Sequence, residues 1–408
     1  MVYFVSYFSR KDFAAVMAGM ITDGVIARVN AGLVGTMLFI FYGVGQLVSG
    51  YLGDKIRPKY LIIMGLSVTG LCNALMSIVP GGAMVAVWGL NGLAQAMLWP
   101  PIVKILAHYL DHDTYVTAHL AVTSAAHVAT VLLYVFVPIC LSFMSWRTVF
   151  VTASTLAFLS MAVFAIAMKL ILPETVDVTN SVSAQKPADK KAEQGEVRAE
   201  RNILLILKES GILTVFVCIV VIGFLRDGIE SWLPMLYSEA FGKDVSESTL
   251  VSMILPIFSI ISITVVTALH KKGILRNEVS GTALLFAMSL ISAIPLAIFV
   301  SLDGAFFSFA SLLLTAFICG AMHGANFLLI SCLPGRFARF GRAATVSGVC
   351  NSCVYIGAAL STYGIALISE AMGWSLTIIS WCAILALGIA FAALSYKKYS
   401  AMLKAQEE

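Results

Sequence analysis

The chain has 408 residues, of which 60% are hydrophobic and 12% charged, with a formal net charge of +4 and a mean hydropathy of +0.93. Soluble domains carry about twice that share of charge, so the composition excludes a water-soluble globular protein and indicates an all-α integral membrane protein. Its apolar runs are continuous rather than alternating, which excludes a β-barrel, and at about 20 residues per span they leave no room for a soluble catalytic domain.

Twelve spans are predicted in chain order, at 1–20, 32–53, 60–79, 83–107, 118–143, 148–172, 211–241, 249–269, 281–301, 305–332, 343–369 and 375–396. The first is short, because Arg10 follows only nine residues, and it reads as a helix truncated at its N-terminus. No basic region precedes an apolar core there, so no cleaved signal peptide is expected. A polar stretch rich in charge, Ala, Ser and Gln interrupts the pattern once and reads as a flexible linker. The expected organisation is an N-terminal six-helix bundle at 1–172, a cytoplasmic linker at 173–208 and a C-terminal six-helix bundle at 209–408. If loops alternate sides, 19 of the 26 Lys and Arg residues fall on the side of the termini and linker and only Arg28, Arg147 and Lys243 on the other. The positive-inside rule then places both termini in the cytoplasm.

Four basic residues remain at membrane depth or its edge: Arg10, Lys11, Lys104 and Arg226. A guanidinium keeps its proton in proteins, and holding one in the bilayer costs several kcal/mol unless it snorkels or serves a function. Snorkelling is unattractive for Arg226, which has "GILTVFVCIVVIGFL" before it and "LPMLYSEAF" after. Arg10 and Arg226 lie 216 residues apart, as do Asp54 and His270 in the loops "GYLGDKIRPKY" and "TALHKKGILRN". That offset indicates two duplicated halves, each aiming one cation at the middle, as alternating access requires. Two such arginines suit a phosphate, sulfate or carboxylate.

Further candidates surround that pair. His127, flanked by small residues in "AVTSAAHVATVLLYVF", and His323 in "CGAMHGANFLL" read either as packing histidines or as ligand contacts that titrate near neutrality. Glu230 shares a helix face with Arg226 by its i, i+4 spacing and is expected to neutralise it, with Asp227 pointing elsewhere. Asp54, where the second span meets the cytoplasm, reads as a gating carboxylate. No metal site is expected: "HYLDHDTY" gathers His108, Asp111, His112 and Asp113 but reads as a solvated loop, and the CxxC of Cys350 and Cys353 lies inside an apolar run. The eight cysteines have no disulfide spacing and read as packing residues.

The loop "GYLGDKIRPKY" resembles that between the second and third helices of the major facilitator superfamily. Together with "YFSRKDF", "GLAQAMLWPP", "SAAHV" and "RDGIESWLPMLY", in that order over nearly the whole chain, it is similar to the organophosphate:phosphate antiporter family. The resemblance implies the major facilitator fold, two pseudo-symmetric six-helix bundles, with Arg10 and Arg226 gripping a phosphoryl group and His127 sharing its charge. By the same resemblance Tyr3, Tyr7 and Tyr355 line the cavity, and His323 stands where the family has a Tyr. Gln46 replaces a Lys of the glycerol-3-phosphate transporters, Asp12 the usual Asn of the first motif, and His270 the Asp of the second-half loop. Lys11 joins Asp54 and Glu230 as gating or charge-balancing residues.

The implied activity is exchange of an organophosphate, of the sugar phosphate or glycerol phosphate class, for inorganic phosphate by a plasma-membrane secondary transporter. Its partners are that anionic small molecule, inorganic phosphate and the lipid bilayer, with no nucleic acid and no cofactor; a monomer is expected. Two alternatives stand beside it: a proton-coupled transporter of another organic anion, and a transporter-like membrane sensor of a phosphorylated metabolite. An enzyme is not expected, since no nucleophile–base pair shares a site.

Overall fold

The computed structural model of the chain describes residues 1–171, 210–275, 277–340 and 343–407, and the predicted linker at 173–208 lies outside the described residues. Among the described residues every regular element is helical. By internal packing they divide into two compact units: one holds the first seven helices and the segment Val245–Met253, the other the remaining helices.

In the first unit, α1 (Val2–Thr22), α2 (Arg28–Lys55), α3 (Pro58–Met76), α4 (Gly81–Ala96), α5 (Trp99–Tyr109), α6 (His112–Phe143) and α7 (Trp146–Ile171) follow in order. The single span expected at 83–107 is thus two helices. Pro100 and Pro101 lack N–H donors and fit only the first turn of a new helix, so α5 restarts there. Asp111, read from sequence as a solvated loop residue, caps α6 by accepting the Thr114 N–H at 3.3 Å. The side chains of His108, His112 and Asp113 lie outside the described residues. Packing sets α1 against α6 and α7, α3 against α7, and α2 against α4. Trp88 of α4 links these layers, with ring centroids 5.8 Å from Phe13 of α1 and 5.9 Å from Phe150 of α7.

The second unit is built on α8 (Ile212–Phe241), α10 (Ile254–Lys271), α11 (Glu278–Phe299), α12 (Ala305–Asn326) and α13 (Ala343–Glu407), while the seven-residue α9 (Val245–Val251) belongs to the segment grouped with the first unit. The predicted span at 249–269 lies in an apolar stretch, Val245–Lys271, that the structure divides into α9 and α10. After α12 the chain continues through a π-helical turn, Phe327–Cys332, and a 3-10 segment, Leu333–Phe340. Gly373, at φ 77°, breaks α13 and separates the two last predicted spans; that left-handed backbone suits glycine. Where α8 crosses α13, a Cβ on Gly223 would overlap the Val354 carbonyl and one on Gly357 the Val220 carbonyl, so the two backbones touch.

Nine helical stretches among the described residues are long and apolar enough to cross a bilayer, and the last, Thr345–Lys404, covers both spans flanking Gly373. The charges of Arg10, Lys11 and Asp12 keep α1 outside those bounds, as does the 16-residue length of α4, which accounts for the difference from twelve. Large apolar side chains such as Leu71, Ile291 and Phe306 remain exposed on the outer faces, where a bilayer takes the place of water.

Candidate functional site

In the first unit α1 places Tyr3, Tyr7 and Arg10 on one face, at i, i+4 and i+7. The Arg10 guanidinium carbon lies 4.2 Å from the Tyr7 ring centroid and 5.1 Å from that of Tyr42 on α2. Tyr7 meets Tyr3 edge-on at 5.1 Å, and Tyr3 packs on Trp99 at the start of α5 at 4.5 Å. The Tyr7 and Tyr42 rings hold the half-buried cation by its quadrupole attraction to their faces. The planar fork of a guanidinium is the part suited to an anion. Tyr42 and Trp99 were not singled out from sequence. Both signals were present: Tyr42 sits one turn before Gln46 in "FIFYGVGQ", and Trp99 lies inside the quoted "GLAQAMLWPP".

Gln46 is half-buried on α2, Lys11 half-buried one position after Arg10, and His127 half-buried on α6. The His127 Nδ1 lies 3.2 Å from the Thr123 carbonyl, which can only accept. Nδ1–H therefore donates there. Asp54 ends α2 next to Lys55, and its side chain lies outside the described residues.

Asp12 does not join the Arg10 face. It is fully buried, with Oδ1 accepting the Phe13 N–H at 2.7 Å and Oδ2 without a hydrogen-bond partner among the described residues. One turn earlier on α1, the Ser9 carbonyl receives the side-chain amides of Asn73 from α3 and Asn91 from α4, each at 3.2 Å. Gln95 of α4 donates to the Ser9 hydroxyl and accepts from Ser6. Because both asparagine nitrogens face backbone oxygen, both Oδ1 atoms are left as buried acceptors with no donor among the described residues. A buried acceptor without a donor is costly, and Asp12 brings none when ionised.

The second unit holds Arg226 differently. Its NH1 donates to Asn326 Oδ1 at 3.0 Å and its NH2 to Asp227 Oδ2 at 2.7 Å, with the arginine side chain 15% exposed. Asp227, expected to point away, is thus a direct counter-ion. The i, i+4 rule describes Cβ positions, and it underrates how far a guanidinium on a long stem folds back to its neighbour. Glu230, expected to balance Arg226, does act on that cation through its charge, and it also accepts a 2.8 Å hydrogen bond from His323 Nε2 of α12. Two polar contacts one turn apart, Arg226 with Asn326 and Glu230 with His323, therefore join α8 to α12. Asn326 is the last residue of α12 before the π-helical turn, a distortion that recurs at functional sites. Tyr355 is half-buried on α13.

A further buried ion pair escaped the sequence reading. Glu278, fully buried at the start of α11, accepts from Arg336 Nε and NH2 at 2.8 Å each and from the Tyr399 hydroxyl at 2.9 Å. Asn277 beside it caps α11 through the N–H groups of Val279 and Ser280 and donates to Ser400. His270, in the place that answers to Asp54, bonds the Leu275 carbonyl at 2.8 Å and closes the loop between α10 and α11. The dipeptide "NE" at the head of an apolar run was a visible cap signal; the partners, 58 and 121 residues away, were not.

Among known proteins, the chain is 32% identical over 148 residues to the probable hexose phosphate transport protein of Chlamydia muridarum (strain MoPn / Nigg), covering 36% of this chain and 32% of that protein. The chain thus spans about a third of the length of such relatives. Alignment to the membrane sensor protein UhpC of Escherichia coli (strain K12) is longer, 24% identical over 387 residues, with 91% and 85% of the two chains covered. The glycerol-3-phosphate transporter of Bacillus subtilis (strain 168) matches at 24% over 254 residues, 59% of this chain and 56% of that one. These relatives are consistent with the organophosphate:phosphate antiporter family. Of solved structures, a bacterial homolog to the human lysosomal transporter Spinster superposes with a TM-score of 0.76 at 13% identity, over 98% of this chain and 96% of that one. The nucleoside transporter NupG gives 0.68 at 14%, over 99% and 97%. At such identities the likeness speaks for the fold, the major facilitator fold expected from the sequence motifs. The Major Facilitator Superfamily model matches residues 1–362, and the chain belongs to that family as a multi-pass membrane protein.

Proposed function

We propose that the chain is a secondary active transporter that exchanges an organophosphate, of the sugar phosphate or glycerol phosphate class, for inorganic phosphate by alternating access. Arg10 and Arg226, one from each unit, are the phosphoryl ligands. The observation that carries this reading is that each guanidinium sits inside an apolar helix, partly accessible, and is held by groups that fix its orientation: Tyr7 and Tyr42 for Arg10, Asp227 and Asn326 for Arg226. A cation at the bilayer centre costs roughly 2.5–3.5 kcal/mol on insertion scales, so a pair retained at matching register calls for an anionic ligand. A phosphate ester carries roughly −1.5 to −2 charges near neutrality, enough to balance two arginines. His127, Gln46, Tyr3, Tyr7, Tyr355 and His323 then line the path, and Lys11, Asp54 and Glu230 adjust charge or gating. An empty site keeps its charges hydrated and resists crossing, which enforces exchange. The working form is a monomer in the plasma membrane with both termini cytoplasmic.

A second reading, a membrane sensor of a phosphorylated metabolite, is favoured by the length of the alignment to UhpC. A third, proton-coupled uptake of another anion, is favoured by the His323–Glu230 pair, since such pairs carry protons in membrane proteins. Purified protein in phosphate-loaded vesicles separates the three. Phosphate efflux triggered by external hexose phosphate or glycerol phosphate without a pH gradient supports exchange. Ligand binding without flux identifies the sensor, and uptake that requires a proton gradient identifies the symporter.

A further inference from the structure

We propose that Glu230, Cys319 and His323 form a binding site for a thiophilic divalent cation of the Zn2+ class. Cys319 and His323 lie one turn apart on α12, at i and i+4, and share a face. Glu230 reaches them from α8, so that its carboxylate oxygen, the imidazole nitrogen and the Cys319 sulfur all lie within 4.8 Å of one another. The set was invisible in sequence because 89 residues separate Glu230 from Cys319.

The donor chemistry narrows the ion. Magnesium and calcium take oxygen ligands, whereas one thiolate, one imidazole and one carboxylate are a set that Zn2+ accepts with a fourth position open. Tetrahedral Zn2+ with bonds of about 2.0–2.3 Å places its donors about 3.4–3.6 Å apart. From the observed spread, the His323–Glu230 pair opens from 2.8 Å and the Cys319 sulfur, within 4.8 Å of both, turns toward the ion. Charge also fits. A divalent ion on a carboxylate, a thiolate and a neutral imidazole leaves the site neutral, one turn from Arg226, where an unbalanced charge at membrane depth would be costly. On binding, the metal replaces the hydrogen bond between His323 and Glu230: the ring proton moves from Nε2 to Nδ1, which keeps the imidazole neutral, and the Cys319 thiol proton leaves to solvent. Cys319 is fully buried, while the side chains of His323 and Glu230 are 15% and 13% exposed. Those two therefore give the ion its way in.

Bound metal would tie α8 to α12 beside Arg226 and oppose any movement of one helix along the other. Binding itself does not depend on the phosphate reading; the effect on flux rests on it. The test uses the purified full-length chain, stripped of metal, with Cd2+ as probe and ultraviolet thiolate-to-metal absorption as readout. The native protein should gain a saturable band. Cys319→Ser should lose that component, and His323→Ala should weaken Cd2+ binding more than about tenfold, with metal-free thermal melts confirming that both variants are folded. No saturable band in the native protein, or a band of the same size and midpoint in Cys319→Ser, overturns the site. In vesicles, Zn2+ should block exchange by the native chain and spare Cys319→Ser, which keeps its basal exchange; equal block in both also overturns the proposal. Absence of exchange in the metal-free native protein would instead strike the phosphate reading and leave the Cd2+ result to decide the metal site.

Discussion

Replacing Asn326 with alanine is predicted to impair exchange although the residue carries no charge. Asn326 Oδ1 is one of two acceptors that fix the Arg226 guanidinium, at 3.0 Å from NH1, while Asp227 holds NH2 at 2.7 Å. A hydrogen bond to a charged group contributes about 1.5–3 kcal/mol. If that energy serves to hold the guanidinium in the geometry that receives a phosphoryl group, its loss lowers exchange efficiency by about 10- to 150-fold. The assay is the initial rate of exchange in phosphate-loaded vesicles across a range of external organophosphate, corrected for the amount of inserted protein. Asn326→Asp is the informative companion. It keeps an acceptor for NH1 but adds a negative charge beside the cation, so it should weaken substrate affinity by competition while preserving the melt. Exchange by Asn326→Ala indistinguishable from wild type, with the same dependence on substrate, would refute the positioning role.

Three stability predictions follow from other contacts, each read from thermal unfolding in detergent. Glu278→Ala removes the acceptor that the Arg336 guanidinium and the Tyr399 hydroxyl share, and losing a hydrogen bond to a charged group costs about 1.5–3 kcal/mol; a melt like that of wild type would show that the pair is not formed. Asp12→Asn removes a buried carboxylate whose Oδ2 has no partner among the described residues and brings an N–H donor to a region with two unfilled asparagine oxygens. It should raise the melting temperature, and a marked fall would mean that the carboxylate has a partner this account lacks. Gly223→Ala sets a methyl against the Val354 carbonyl, where backbone must yield, and overpacking of that kind costs about 1–3 kcal/mol or more; an unchanged melt would contradict the close crossing of α8 and α13.

Hydropathy alone made the membrane class and most helices legible, because a bilayer demands long apolar runs whatever their partners. It failed where backbone chemistry cuts a run: Pro100 and Pro101 split one span into α4 and α5, and the π-helical turn after Asn326 ends α12 before the hydropathy does. The site was legible to the extent that one helix face defines it. Tyr7 and Arg10 share a face by spacing, and the Tyr7 ring does lie at the guanidinium, while Tyr3, implied by the family resemblance, packs on Tyr7. Counter-ions were legible in part. Spacing assigned Glu230 to Arg226, and its charge does act on the arginine, but the tertiary contact of α8 with α12 also gives Glu230 to His323, and Asp227 bonds the arginine directly. The same limit hid Glu278 with Arg336 and Tyr399, and Asn73 and Asn91 at the Ser9 carbonyl, since each meeting is decided by helix packing between distant segments.

The central claim is that the Arg10 and Arg226 guanidiniums bind the phosphoryl group, and lysine substitution tests it while keeping the charge. Lysine retains a point charge but loses the planar fork that grips phosphate bidentately. Arg10→Lys and Arg226→Lys, each inserted and folded, are assayed for organophosphate-driven phosphate efflux from phosphate-loaded vesicles. The account predicts robust efflux for the native chain and none for either variant. Native efflux accompanied by undiminished efflux from either lysine variant would contradict it.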